Sequence, residues 1–466
     1  MRAFMGLIAL TFIALPVVAY ETQSHQTDRT AVEAAIAEDQ AVAIAAIEQL
    51  RGRGPEGLQD LFEAYGDDLK KMGAAADRDT DPRWVRIRHA IDKVAGQRDA
   101  HASGLYWYQD FDDAKRAAAA AGKPILSLRL LGRLDEQFSC ANSRFFRTVL
   151  YANAEVNRHL REHFVLHWKS VRPVPKITID FGDGRFLQRT ITGNSIHYVL
   201  DSAGRPVDAI PGLYGPKVFL AKIRTAEKFA VRWQPRNGQQ QDAEYLARQY
   251  DKALRDYHSR RLFELAKSWA DDLRTIGETE APLLELASAD AKDGVPSALD
   301  AAPVAMSKWD VEMPILSRIM TIDATLAAQS DGTDDQTWQK IARLHDDEAA
   351  LDTTSVALMR AQLPAIDASR VAMTKTVLED PLLRVVANFQ RSVAEDTVRN
   401  EYLIHSRIHR WFVDAEEATA EVDQLNKRVY AELFLTPDED PWLGLVATDT
   451  YSALLGDGIG TRTEVQ

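Results

Sequence analysis

The spacing of the apolar residues changes twice along this chain, and these changes determine what it can fold into. Residues 28–98 carry apolar side chains at helical spacing, and the same spacing returns from about residue 238 onward. Between these regions, short apolar runs alternate with helical stretches and glycine turns. Because helices and strands bury faces with different periods, the sequence predicts an α/β sandwich between an N-terminal helical segment and a large all-helical C-terminal region.

The middle region predicts the order helix, strand, helix, strand, hairpin, strand, helix. An alanine-rich helix ends at Gly122, and a strand starts near Pro124. The next helix opens near Cys140 and continues to about Glu162. The stretch "KITIDFGDGRFLQRTI" alternates on both sides of a Gly-Asp-Gly turn, as the strands of a hairpin do. This order of elements is typical of a two-layer α/β domain.

The first residues have the form of an export signal. Arg2 precedes the apolar run "AFMGLIALTFIAL", and small residues lead to a cleavage site after Ala19. The run is short for a membrane span and polar residues follow it. We therefore expect a periplasmic or secreted bacterial protein without a membrane span after signal cleavage; an uncleaved anchor is the alternative. The predicted divisions are a signal peptide at 1–19, a helical segment at 20–98, an α/β domain at 99–237 and a helical domain at 238–466.

The net charge and the cysteine content limit the functions that this chain can have. The formal net charge of −13 argues against binding to nucleic acid or anionic lipid, because an acidic field repels polyanions. Cys140 is the single cysteine of the 466 residues, so no internal disulfide can form. Stability must therefore come from the burial of apolar side chains, which a chain of this length can supply.

An ordered series of features accompanies this cysteine. "GKPILSLRLL" is an entry strand after a helix, and Cys140 and Ser143 then form a C-x-x-S pair where a helix opens. "NAEVNRHLREHFVLHW" and "GNSIHYVLDSAGRPVDAIPG" follow in turn. Over about residues 103–228, this series resembles the thioredoxin-like superfamily. The resemblance implies a thioredoxin-like fold, with Cys140 at the position of the attacking thiol.

The chain departs from the family's pattern at the positions that serve catalysis. Ser143 stands where the resemblance implies the second cysteine, and Ser195 stands where it implies the cis-proline that faces the thiol. The hairpin at 176–191 replaces a helix. Release of a mixed disulfide needs a resolving thiol, so a two-cysteine cycle within one chain is excluded.

Three functions remain open. With Cys140 and Ser143 as candidate catalytic residues, the chain would be a monothiol thiol–disulfide oxidoreductase or a thiol-docking protein, since a helix start favours the thiolate. With Asn194 and Ser195 as candidate binding residues and Cys140 as a buried packing residue, it would be a binding or scaffold module for an envelope or secreted protein partner. The second function is favoured, because both departures remove parts that serve substrate turnover.

The third function concerns a histidine pattern near the C-terminus. Glu401, His405 and His409 recur every four residues, so on a helix they lie on one face. Two imidazoles at this spacing can chelate zinc, copper or haem iron, and the carboxylate can add an oxygen. The alternative is an interfacial stripe of polar residues, and we assign no cofactor from the sequence.

Overall fold

The computed structural model describes most of the region after the predicted signal. The described residues are 29–72, 80–191, 194–234, 243–278, 307, 333, 335–362, 375–415 and 421–436. The predicted signal peptide at 1–19 and the predicted boundary between 237 and 238 lie outside these ranges. Over the described ranges the protein is a mixed α/β structure with more helix than strand.

The N-terminal helices form a core of their own. Their buried residues include Leu50, Leu61, Ile87 and Ile91, each without exposed surface. The last of these helices ends at Gly96, which adopts the left-handed backbone conformation with a φ of 68°, as a C-capping glycine does. These helices are α1 (Arg29–Ala34), α2 (Gln40–Gly52), α3 (Pro55–Met72) and α4 (Pro82–Ala95).

The first apolar stripe is divided between two helices. The chain leaves α1 at Ala34 and starts α2 at Gln40. The carboxylate of Asp39 accepts hydrogen bonds from the backbone N–H groups of Ala41 and Val42, at 2.9 and 3.2 Å. An N-cap aspartate satisfies donors that a new helix leaves unpaired, so α2 starts as a separate helix.

A five-stranded mixed sheet forms the centre of the molecule, in the order β1-β3-β2-β6-β7. The first three strands in this order pair in parallel, and β6 and β7 join antiparallel. Every residue of β2 is buried, as in other sheet strands that are covered on both faces, and these residues include the polar Ser127 and Arg129. The strands are β1 (Trp107–Tyr108), β2 (Ile125–Leu131), β3 (Val165–Arg172), β6 (Ser195–Leu200) and β7 (Pro206–Pro211).

The predicted hairpin is present as a separate two-stranded sheet. It consists of β4 (Lys176–Asp180) and β5 (Phe186–Thr190), paired antiparallel. Gly182 and Gly184 adopt positive φ in its turn, at 74° and 88°, which glycine does without a Cβ penalty. The sequence pattern located this hairpin to within two residues.

Helices follow the strands as the sequence predicts, with one difference. They are α5 (Phe111–Ala121), α6 (Ala141–Phe145), α7 (Ala154–His163) and α8 (Pro216–Arg232). The prediction of a single helix from Cys140 to Glu162 is wrong. A π-helical turn at Phe146–Leu150 and a break at 151–153 interrupt this stretch. Asn153 caps α7 by accepting from the N–H groups of Glu155 and Val156, so α7 starts anew.

The C-terminal helices share one hydrophobic core with the sheet. Tyr198 of β6 and the helical residues Trp338 and Ile408 belong to the same buried cluster. The helices are α9 (Ala243–Ile276), α10 (Asp335–Leu344), α11 (Thr353–Gln362), α12 (Lys375–Arg399), α13 (Ser406–Asp414) and α14 (Val422–Glu432), with a π-helical turn at Asn400–His405 between α12 and α13. None of the helices in the described ranges is long and apolar enough to cross a membrane.

An ion pair between a buried arginine and a half-exposed aspartate joins the sheet to α14. Arg129 of β2 is 1% exposed, and its Nη2 donates to Oδ1 of Asp423 at 3.0 Å. Removal of Asp423 leaves the buried guanidinium of Arg129 without this charged partner. Because Asp423 is itself half exposed, we expect Asp423→Ala to lower the free energy of unfolding by about 1–3 kcal/mol in urea titrations.

The matched control is Glu421→Ala, which removes an exposed carboxylate two residues away. It should change the free energy of unfolding by about 0.5 kcal/mol or less. Equal effects of the two substitutions would contradict the importance of the Arg129 pair.

Candidate functional site

Cys140 lies beside the carboxyl end of the central strand and at the start of α6. The preceding loop returns to the sheet, and the N–H of Cys140 donates to the carbonyl of Leu131 at 3.1 Å. Gly132 permits this return: its φ is 75°, and a Cβ there would lie 3.1 Å from Cα of Ser139. The Cys140 side chain has no exposed surface.

Two serine hydroxyls contact the thiol, and a third contacts one of them. The Sγ atom of Cys140 lies 2.8 Å from Oγ of Ser195 and 3.4 Å from Oγ of Ser143. The Ser143 hydroxyl is in turn 2.7 Å from Oγ of Ser139 and 2.8 Å from the carbonyl of Cys140. The structure thus brings together three of the residues that the sequence singled out, and all of these side chains are buried.

The fourth of these residues, Asn194, is covered by the C-terminal region. Its carbonyl accepts a hydrogen bond from the hydroxyl of Tyr430 on α14, at 2.8 Å. Asn194 and Tyr430 are 2% and 1% exposed. No peptide bond among the described residues is cis, and Ser195 follows Asn194 directly into β6. A side of the thiol site is therefore occupied by the chain's own helix.

The neighbouring arginine, Arg144, contacts the base of the hairpin. Nη1 of Arg144 donates to the carbonyl of Ser139 at 2.9 Å and to Oγ1 of Thr190 at 2.6 Å. Thr190 ends β5, so this guanidinium fixes the base of the hairpin to the Cys140 loop.

A second group of predicted residues lies between β7 and the C-terminal helices. Glu401 and His405 belong to the π-helical turn, His409 belongs to α13, and all three are buried. Nδ1 of His405 lies 3.2 Å from Oε2 of Glu401. The carboxylate of Glu401 also accepts from the Tyr214 hydroxyl at 3.2 Å and pairs with the Lys222 ammonium.

Asp208 of β7 is the residue that the sequence analysis missed in this group. Its Oδ1 lies 2.9 Å from Nε2 of His405 and 3.8 Å from Nδ1 of His409. The hydroxyl of Tyr257 donates to its Oδ2 at 2.7 Å, and its own side chain is 2% exposed. Its signal in the sequence was an aspartate inside an otherwise apolar buried strand, "PVDAIP", because a buried carboxylate needs partners.

The charges in this group alternate along a line from Lys222 to Asp208. Although burial opposes ionisation, the carboxylates of Asp208 and Glu401 raise the pKa of His405 to about 9. Burial alone would raise the pKa of Asp208, but the charge of His405 holds that pKa well below its ordinary value. The resulting ammonium, carboxylate, imidazolium and carboxylate compensate one another within the core.

Two further imidazoles in the group are neutral. Burial, with the nearby charge of His405, lowers the pKa of His409 well below its ordinary value. Burial also lowers the pKa of His258 to about 4. Nε2 of His258 lies 3.1 Å from the carbonyl of Val207, and its Nδ1 lies 2.8 Å from Nδ1 of His409. Since the carbonyl only accepts, His258 carries its proton on Nε2, and Nδ1 of His409 donates to Nδ1 of His258.

Two other features lie away from both groups. His159 and His163, one turn apart on α7, contact the carboxylate of Glu227 on α8 at 3.0 and 2.8 Å. A pocket of about 850 Å³ lies between α3, α7 and the β1 edge of the sheet. Its lining includes Phe62 and Tyr106 and none of the residues that the sequence singled out.

Comparison of the chain with protein-family models, with curated proteins and with solved structures found no match.

Burial of Cys140 predicts slow labelling of its thiol. We expect a maleimide to react with the native protein about 100-fold more slowly than with protein unfolded in guanidinium, because the reagent must wait for an opening of the structure. The measurement is the labelled mass fraction over time, with Cys140→Ser giving the background. Native labelling at the rate of the unfolded chain would contradict the closed thiol site.

Proposed function

We propose that this chain is a non-catalytic binding module of the bacterial envelope or of secreted material, built on a thioredoxin-like domain whose C-x-x-S site has become structural. The export-signal pattern at 1–19 supports the location. The absence of a second cysteine supports the lack of turnover. The partner is a protein, since the acidic chain disfavours polyanions.

The thioredoxin-like part of the proposal is supported by the placement of the residues. Cys140 follows the central strand β2 and opens α6, with Ser143 one turn into the helix. Ser195 begins β6, the strand that pairs antiparallel with β2, and contacts the Cys140 sulfur. These are the relative positions that the resemblance implies for a thiol, its helix neighbour and the residue that faces it.

The observation that carries the proposal is the burial of Cys140. A thiolate exchanges with a disulfide only when it can reach one of the two sulfur atoms of the substrate. The Cys140 sulfur is 0% exposed and lies against two serine hydroxyls. In addition, the hydroxyl of Tyr430 on α14 donates a hydrogen bond to the Asn194 carbonyl. This closed arrangement favours a structural role for the thiol.

The hairpin supplies the surface for the proposed partner. Phe181 and Phe186 flank its turn and are 57% and 67% exposed. In the described ranges β4 and β5 pair with each other and with no further strand, so each has an unpaired edge. An extended segment of a partner protein can pair with such an edge while its apolar side chains cover the aromatic rings. The partner we propose is a protein that presents such a segment.

A photo-crosslinking experiment in the cells that produce the protein tests this surface. A benzophenone amino acid is placed at Phe181 or Phe186, and at Phe263 of α9 as the matched control, because Phe263 is an aromatic residue that is 73% exposed. We expect the same crosslinked protein from both hairpin positions, identified by mass spectrometry, and a different or no product from position 263. Identical products from all three positions would contradict hairpin recognition.

The Cys140→Ser variant separates binding from thiol chemistry in the same experiment. Serine retains a hydrogen-bonding group at this position, so we expect a loss of about 1–2 kcal/mol in the free energy of unfolding and an unchanged crosslink. Disappearance of the crosslink in folded Cys140→Ser protein would favour the monothiol alternative instead.

A further inference from the structure

We propose that Asp208, His405 and His409 bind a zinc ion at the junction between the sheet and the C-terminal helices. The site goes beyond the proposed binding function, because it concerns how the two regions are held together. Each of the three residues offers a ligand atom, and these atoms all lie within 4.8 Å of one another. All three side chains are buried.

The distances are close to those that a tetrahedral ion requires. Ligand atoms at zinc bond lengths of about 2.0–2.2 Å lie about 3.3 Å apart. Oδ1 of Asp208 is 2.9 Å from Nε2 of His405 and 3.8 Å from Nδ1 of His409. An ion placed between the three groups would need shifts of these side chains, and its binding would release the proton that His405 carries on Nε2. Imidazole with a carboxylate oxygen is a ligand set that suits zinc.

The side chains that contact these three residues are of the kinds that orient metal ligands in proteins. A ligating histidine commonly donates its other N–H to a carboxylate or a carbonyl. His405 directs Nδ1 to Glu401 at 3.2 Å while its Nε2 faces Asp208. The free oxygen of Asp208 accepts from Tyr257 at 2.7 Å. Glu401, which the sequence analysis named as a ligand, thus has an outer position that orients His405.

His409 supplies an independent observation. Its Nε2 is buried and has no hydrogen-bond partner among the described residues, although a buried nitrogen lone pair normally has one. Its Nδ1 contacts His258, whose second nitrogen is held by the Val207 carbonyl. Because Nδ1 of His409 donates to His258, Nε2 of His409 is the nitrogen of this pair that protein hydrogen bonds do not saturate. Zinc would bind this nitrogen after the ring turns it toward Asp208.

Metal analysis of the full chain, purified without a histidine tag, tests the site. The protein is treated with a chelator, incubated with zinc chloride, freed of excess metal and analysed by inductively coupled plasma mass spectrometry. We expect about one zinc ion per chain and a rise in Tm of about 5 °C or more over the chelated protein. Protein that is folded and remains free of zinc would overturn the proposal.

Variants locate the ion. Asp208→Asn and His409→Gln should each reduce the bound zinc at least about tenfold and abolish the rise in Tm. The matched control is the double variant His159→Gln, His163→Gln, which disrupts the other histidine and carboxylate group and should retain the zinc. Loss of zinc in that control, with retention of zinc in His409→Gln, would also overturn the proposal. If Asp208→Asn does not fold, His409→Gln provides the test of the site.

Discussion

The buried charge of Asp208 is the constraint on which the assembly of this protein depends. A carboxylate inside a sheet strand costs several kcal/mol to desolvate unless partners surround it. Its partners come from three separate parts of the chain: Tyr257 from α9, His405 from the π-helical turn and the N–H of Ala209 from β7 itself. The C-terminal helices must therefore lie against β7 in one register, and Lys222 and Glu401 complete the charge balance.

This docking has a consequence for the thiol site. Once the C-terminal helices are fixed against the sheet, α14 lies where Asp423 reaches Arg129 and Tyr430 reaches Asn194. The same helices that neutralise the buried charges thus cover the edge beside Ser195. Cys140 is enclosed by this helix on one side and by the serine hydroxyls on the other, and the hairpin remains the exposed feature attached to its loop. In this account, the closure of the thiol site depends on the docking of the helical region against the sheet.

Local sequence patterns predicted much of the fold, because they depend on neighbours along the chain. Alternation and a Gly-Asp-Gly turn predicted the hairpin, and a short apolar run after the helix end at Gly122 predicted the central strand β2. The proximity of Cys140, Ser143 and Ser195 followed from the resemblance. The breaks at 35–39 and 151–153 lie at Asp39 and Asn153, where capping hydrogen bonds outweigh a continuing apolar stripe. Asp208 and His258 escaped notice because their partners are distant in sequence, and a single sequence carries no record of such pairs.

Native-state hydrogen exchange, measured by mass spectrometry in the presence of a chelator, tests the central claim that Asp208 couples the sheet to the C-terminal helices. The account predicts that amides of β7, α9 and α13 open with one free energy, and that Asp208→Asn lowers this value equally in all three by about 2 kcal/mol or more. It predicts no change in α2 and α4, which belong to the separate N-terminal core. Independent opening of α13 at a much lower free energy than β7 in the unaltered protein would contradict the account.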